Sequence, residues 1–211
     1  MRMIVRFGKN PRLRFISHLD LQRFFQRALN RTGLPIAYSQ GFNPHPVMAF
    51  ASALALGWTS KYEMLDVKLS APIGRKHAEE AMRAALPEDL PVLEVKLAED
   101  RLPSLMPLVA ASDYVIEQSG VTQEALEHFL SQECVMGIRK TKSGEKEINI
   151  RPLAYEVSQE NGSLKARLAL TDKDTLKPDL LVKALDGDSE EMKIHRVALL
   201  SSDMQPLMKL V

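Results

Sequence analysis

Segments with a two-residue hydrophobic period and segments with a 3.6-residue period alternate along this chain in an order that few folds can satisfy. Residues 3–8 alternate and are β-branched enough to form a strand. Ser17 reads as a helix N-cap with Asp20 in the first turn, and Gly33 as the residue that ends the helix, so a helix is expected over 18–32. Residues 35–39 read as a short strand and the YEMLDVKL run at 62–69 as a half-buried one. A second helix is expected over 75–86, stopped by Pro87, and another strand over 92–97. Strand, helix, strand, strand, helix, strand is the split βαβ pattern, with an antiparallel sheet and both helices on one face.

The second half repeats the pattern with one addition. A strand at 114–118 precedes a helix capped by Thr122 and running to about Gln132. Strands at 135–141 and 146–150 flank Lys142-Ser143-Gly144-Glu145, a hairpin turn, and strands at 153–158 and 164–170 flank Asn161-Gly162, the strongest short hairpin signal in the chain. Pro178 opens a helix to Leu185, and 194–200 is the closing strand. Residues 99–110, with Pro103 and Pro107, read as a linker. The expected fold class is α+β: tandem ferredoxin-like domains with antiparallel sheets, at 1–100 and at 111–211, the second carrying an extra hairpin.

With 211 residues, 45% hydrophobic and 26% charged, the chain has the composition of a soluble globular protein. Its longest apolar stretch, 47–58, is too short and too polar for a membrane span, and its start lacks a long apolar run and a small-residue cleavage site. A cytoplasmic protein with no membrane partner is the expectation. The only cysteine, Cys134, excludes an intrachain disulfide and any all-cysteine zinc or iron–sulfur site within one chain, including the CxxxCxxC cluster of a radical S-adenosylmethionine enzyme. Cys134 is expected to be a small core residue. No P-loop, Rossmann glycine fingerprint, GxSxG elbow or EF-hand is present, no metal is indicated, and no cofactor is expected.

Charge is distributed unevenly. Residues 1–50 hold eight Lys/Arg and a single acid, Asp20, whereas the whole chain has a net charge of only +1. On a helical wheel Leu21, Phe24, Phe25, Ala28 and Leu29 fall on one arc of about 140°, the core face. Arg23, Arg27 and Arg31 recur at every fourth residue and form a stripe beside it, ~6 Å apart along the axis, close to the phosphate spacing of an extended strand. One such stripe alone is more often a solvated face. Arg12 and Arg14 just before the helix, with Arg2 and Arg6 earlier, shift the balance toward an anion site, because free N–H groups point out of a helix N-terminus.

His18 opens this helix, where the dipole disfavours its charged form and leaves it available as an acceptor or general base; sealing the helix start is an equal alternative. The following loop, Gln40, Gly41, Phe42, Asn43, Pro44, His45 and Pro46, is more unusual. Pro44 and Pro46 fix their own φ and push Asn43 and His45 away from helical conformations, so His45 sits in a rigid extended backbone. Such a loop costs little entropy on binding, although it is also a plausible stiff connector. Convergence of His18 and His45 would make them a catalytic pair. Of the other histidines, His77 and His128 are expected at the surface and His195 at the start of the last strand, none with chemistry. Trp58, Phe42 and Phe50 are expected mainly to pack in the core.

The motifs RFISHLDLQRFFQRALNRTGLP, AYSQGFNPHP and SALALGWTSKYEMLDVKL resemble those of the radical-SAM-linked proteins, a bacterial family of unassigned function found beside or fused to radical S-adenosylmethionine proteins. The clear resemblance covers about residues 2–70. Val47 departs from it, standing where a basic residue is expected, and Ala55, Trp58 and Lys61 differ from its Leu-Pro-Leu-Gly-Val and acidic pattern. The resemblance implies association with a radical enzyme and a gene setting near RNA-processing and ribosomal-protein genes. The expected fold is also similar to that of RNA-binding and RNA-cleaving repeat-associated proteins, and fold alone does not determine function.

Three functions follow as expectations. The first is a non-catalytic accessory module that binds RNA, or a ribosomal or tRNA-related substrate, for a separate radical S-adenosylmethionine protein. There Arg12, Arg14, Arg23, Arg27 and Arg31 would hold phosphates, and the 40–46 loop would discriminate. The second is a metal-independent RNA-processing enzyme using His18 and His45. The third is a protein docking module without nucleic acid.

Overall fold

The computed structural model describes residues 1–141 and 144–211; of the hairpin turn expected at 142–145, Lys142 and Ser143 lie outside the described residues. The chain is α+β, with four α-helices among the described residues and extensive antiparallel strand pairing. It divides into two compact units, Met1–Val109 with Gln205–Val211, and Ala110–Met204.

The first unit runs β1 (Arg2–Lys9), α1 (His18–Arg31), β2 (Met48–Phe50), β3 (Thr59–Lys68), α2 (Arg75–Ala85) and β4 (Val92–Ala98). β1 lies between β4 and β3, and β2 pairs with the other edge of β3, all antiparallel. Val5 stands opposite Leu65 on one side and Val95 on the other. Met3, Val5 and Phe7 alternate onto the helix-facing side and bury against Phe25 and Leu29 of α1 and Met82 of α2. Phe7, Phe25 and Phe50 meet as an aromatic trio, with Phe7 and Phe25 centroids 4.7 Å apart. The opposite face is covered by the C-terminal segment. Tyr62 Oη accepts from Met208 N at 3.0 Å, Lys96 Nζ donates to Met208 O at 2.8 Å, and Leu207 is fully buried.

α1 begins where its cap dictates. Ser17 Oγ accepts from Asp20 N at 3.2 Å and donates to Asp20 Oδ2 at 2.7 Å, which fixes the first turn. It ends at Thr32, followed by Gly33 at φ +68°, a conformation glycine takes without steric cost. Residues 35–39 differ from expectation, with isolated bridges at Ile36–Leu69 and Tyr38–Pro46 in place of a strand. Pro35 has no N–H, and Ile36 N turns back to Leu34 O at 2.8 Å, so a regular ladder cannot start there. The strand beside β3 is instead β2, whose Phe50 reaches the core.

The second unit runs β5 (Ala111–Glu117), α3 (Gln123–Ser131), β6 (Met136–Thr141), β7 (Gly144–Asn149), β8 (Ala154–Glu160), β9 (Ser163–Ala169), α4 (Pro178–Ala184) and β10 (Lys193–Leu200). Its strands are ordered β10-β5-β9-β8, and β6–β7 pair separately. Asn161 and Gly162, at φ +50° and +76°, join β8 to β9 by a two-residue turn whose twist matches the strands. Cys134 is exposed and not in the core: it sits in the connection before β6, its Sγ 3.8 Å from Met136 Sδ. No described helix is long and apolar enough to cross a membrane.

Candidate functional site

The approach to α1 is held by a lysine buried to 2% exposure. Lys9, at the end of β1, donates from Nζ to Arg14 O at 3.1 Å and to Ile16 O at 3.0 Å. Gly57 N donates to the same Arg14 carbonyl at 2.8 Å. Residues 10–16 are thereby pinned over the helix start, with Leu13 and Ile16 packed against the core and Arg12 and Phe15 turned outward. Phe15 is 68% exposed, and the Arg14 guanidinium lies over its ring, 4.6 Å from the centroid. Leu56, next to Gly57, and Leu19, in the first turn of α1, are exposed in the same region. Burial lowers the Lys9 pKa below the usual lysine value, opposed by the charge of Glu63, itself buried.

His18 packs edge-on against Phe50 with ring centroids 5.0 Å apart. Its pKa is lowered from the ordinary histidine value, first by loss of solvent and then by repulsion from Lys9. The sequence argument expected this direction from the helix dipole; burial and Lys9 are the causes in the folded chain.

Along α1, Leu21, Phe25, Ala28 and Leu29 are buried and Phe24 is packed at the core's edge, as the wheel places them. Arg23, Arg27 and Arg31 are all exposed. Arg23 reaches Asp20 at 3.4 Å and Arg31 donates to Ala85 O at 3.3 Å, both loose surface contacts. Arg12 is exposed, 3.7 Å from Asp89. Arg2 and Arg6, in contrast, belong to the fold. Arg2 pairs with Asp66 and donates to the carbonyls of Leu102 and Pro103, and Arg6 pairs with Glu94 at 3.3 Å and stacks on Tyr62. The basic surface therefore consists of Arg12, Arg14, Arg23, Arg27 and Arg31.

The loop that follows is closed on itself. Ser39 N donates to His45 O at 2.9 Å, His45 N donates to Ser39 Oγ at 3.1 Å, and the His45 ring Nδ1 lies 3.0 Å from the same hydroxyl. Gln40, Gly41, Phe42, Asn43, Pro44 and His45 are exposed, Pro46 is buried, and Gly41 takes φ +136°. Phe42 stands fully in solvent, against the expectation of core packing, whereas Phe50 is in the core. The root of the loop is tied to α1 by Tyr38 Oη donating to Asn30 Oδ1 at 2.7 Å.

That tie places the two histidines. Asn30 is twelve residues along α1 from His18, about 18 Å of helix. His18 thus lies at the N-terminal end and the His45 loop is rooted near the C-terminal end. The arginine stripe runs between them. Three residues of this region gave no signal as site residues: Lys9, Glu63 and the exposed Phe15. A buried lysine at the end of an apolar strand cannot be told from an exposed one by sequence period, and Phe15 precedes the helix, outside the reach of a helical wheel. Among the described residues no three His, Cys, Asp or Glu side chains gather into a metal-binding group.

A family model described as an uncharacterised protein conserved in bacteria (DUF2344) matches residues 2–178. The chain belongs to this family. The match spans α1, the 40–46 loop and most of the second unit. Comparison with curated proteins found no match.

Proposed function

We propose that the first unit is a non-catalytic accessory module that binds single-stranded RNA, or a ribosomal or tRNA-related substrate, and presents it to a separate radical S-adenosylmethionine protein. The observation that carries the RNA reading is the exposed Phe15 under the Arg14 guanidinium, at the head of a stripe of exposed arginines. An exposed aromatic ring offers a base a stacking surface, and arginines one helical turn apart follow the phosphates. The pre-ordered loop with Phe42 at its tip supplies a second contact at the other end of the stripe. Support for the radical-enzyme partner is the motif resemblance across residues 2–70. The strand order β4-β1-β3-β2, with a helix after the first and third strands in sequence, supports reading this unit as ferredoxin-like. The order β10-β5-β9-β8 supports the same reading for the second unit, with β6–β7 as its extra hairpin.

Fluorescence anisotropy with a labelled, unstructured RNA tests the RNA reading. The whole protein is expected to bind and leave the RNA intact, and Phe15→Ala to weaken binding roughly tenfold, the worth of one stacked base. No binding at low salt overturns it. A pull-down of the radical enzyme that survives nuclease but is lost when Arg23, Arg27 and Arg31 become alanine would replace RNA binding with protein docking.

A further inference from the structure

The second unit contains a cavity of about 300 Å³ between β6 and α4. Three cations line it, Arg139, Lys177 and Lys183, against one acid, Asp179, with Ile138 and Leu180 as an apolar wall. Each comes from a defined position. Arg139 projects from β6 and is steadied by donating to Thr175 O at 2.9 Å, while Lys177, Asp179 and Lys183 frame α4. β6 approaches α4 closely because residue 137 is glycine: a Cβ there would stand 3.3 Å from Leu180 Cδ1. Asp179 is half-buried and supplies the carboxylate of the cavity wall, an acceptor suited to a donor on a ligand.

We infer that this cavity binds a phosphorylated nucleoside, with the phosphate on Arg139, Lys177 and Lys183, the base against Ile138 and Leu180, and a base N–H donated to Asp179. A bare anion would use the cations and leave the apolar wall and the Asp179 carboxylate unserved. A neutral ring would leave the cations unserved. A nucleotide uses all three, and guanine, with an N1–H and an amino group on one edge, suits a carboxylate acceptor best. The same chemistry comes from a free mononucleotide or from the 5′-terminal nucleotide of an RNA. The site lies wholly in the second unit and stands independently of the RNA reading of the first.

Calorimetric titration of the whole protein with GMP, a 5′-phosphorylated G-initiated dinucleotide, and inorganic phosphate tests it. GMP or the dinucleotide is expected to bind at least roughly tenfold more tightly than inorganic phosphate. Whichever of the two binds more tightly identifies the source. Lys183→Ala should weaken nucleotide binding roughly tenfold, and Lys183→Arg should restore it. Asp179→Ala should weaken GMP and leave inorganic phosphate unchanged. Lys177 and Lys183 are exposed, so their alanine variants should retain the wild-type circular dichroism and melting temperature. No nucleotide binding, equal affinity for GMP and phosphate, or binding unmoved by Lys183→Ala would each overturn the proposal.

Discussion

Lys9 and His18 show how single residues turn a strand end into a platform. Lys9 is buried on the sheet and uses its ammonium to hold two carbonyls of the segment that presents Arg12, Arg14 and Phe15. Lys9→Ala leaves those carbonyls without that donor, and a loss of about 2–3 kcal/mol is expected in urea unfolding, with Phe15 more mobile by NMR. The half-buried His18 binds its proton less readily in the folded chain than in the unfolded one. Between its lowered folded pKa and about 6.5 the unfolded state therefore holds more proton, so its contribution is present above that window and is lost as pH falls through it. His18→Gln should flatten the fall in melting temperature as pH drops below about 6.5; an unchanged acid limb would contradict the assignment. At this scale the sequence placed Arg23, Arg27 and Arg31 on the exposed side of α1, but also counted Arg2 and Arg6, because only the folded pairing with Asp66 and Glu94 shows where their charges are spent.

Among the elements, α1 was legible throughout, since its cap, core face and terminator are all local. Ser17→Ala should cost about 1 kcal/mol and fray the first turn, without unfolding the sheet. The Asn161-Gly162 hairpin was equally plain, because two left-handed residues in a row demand that chemistry. Residues 35–39 were misjudged for a non-local reason: their β propensity is real, but the edge of β3 is taken by Met48–Phe50, a run too short to show a period. Phe42 was missed as an exposed aromatic because hydrophobicity alone assigns such a residue to a core, and Phe15 drew no reading because it precedes the helix. Gly187 gave no sequence signal either. A Cβ there would meet Ser119 O at 2.5 Å and Val121 Cγ2 at 2.6 Å. Gly187→Ala should destabilise the second unit by about 1–3 kcal/mol, read as a lower melting temperature.

For the whole chain, the central matter is where the positive charge of the first fifty residues lies after folding. Part is absorbed by internal pairing, and the remainder, Arg12, Arg14, Arg23, Arg27 and Arg31, flanks one exposed aromatic and leads along α1 to a rigid loop. His18 and His45 stand at opposite ends of that surface. The arrangement suits a ligand that extends along the helix better than a compact reacting group. The C-terminal residues Gln205–Val211 cover the other face of the first unit's sheet, so deleting them should expose Ile4, Met64 and Tyr62 and promote aggregation. The salt dependence of RNA affinity addresses the central claim most directly. A plot of log K against log salt for wild type should be steep, and replacing Arg23, Arg27 and Arg31 by alanine should make its slope shallower by about 2. An unchanged slope in the triple variant, or a wild-type affinity indifferent to salt, would contradict the assignment of α1 as the phosphate-contacting face.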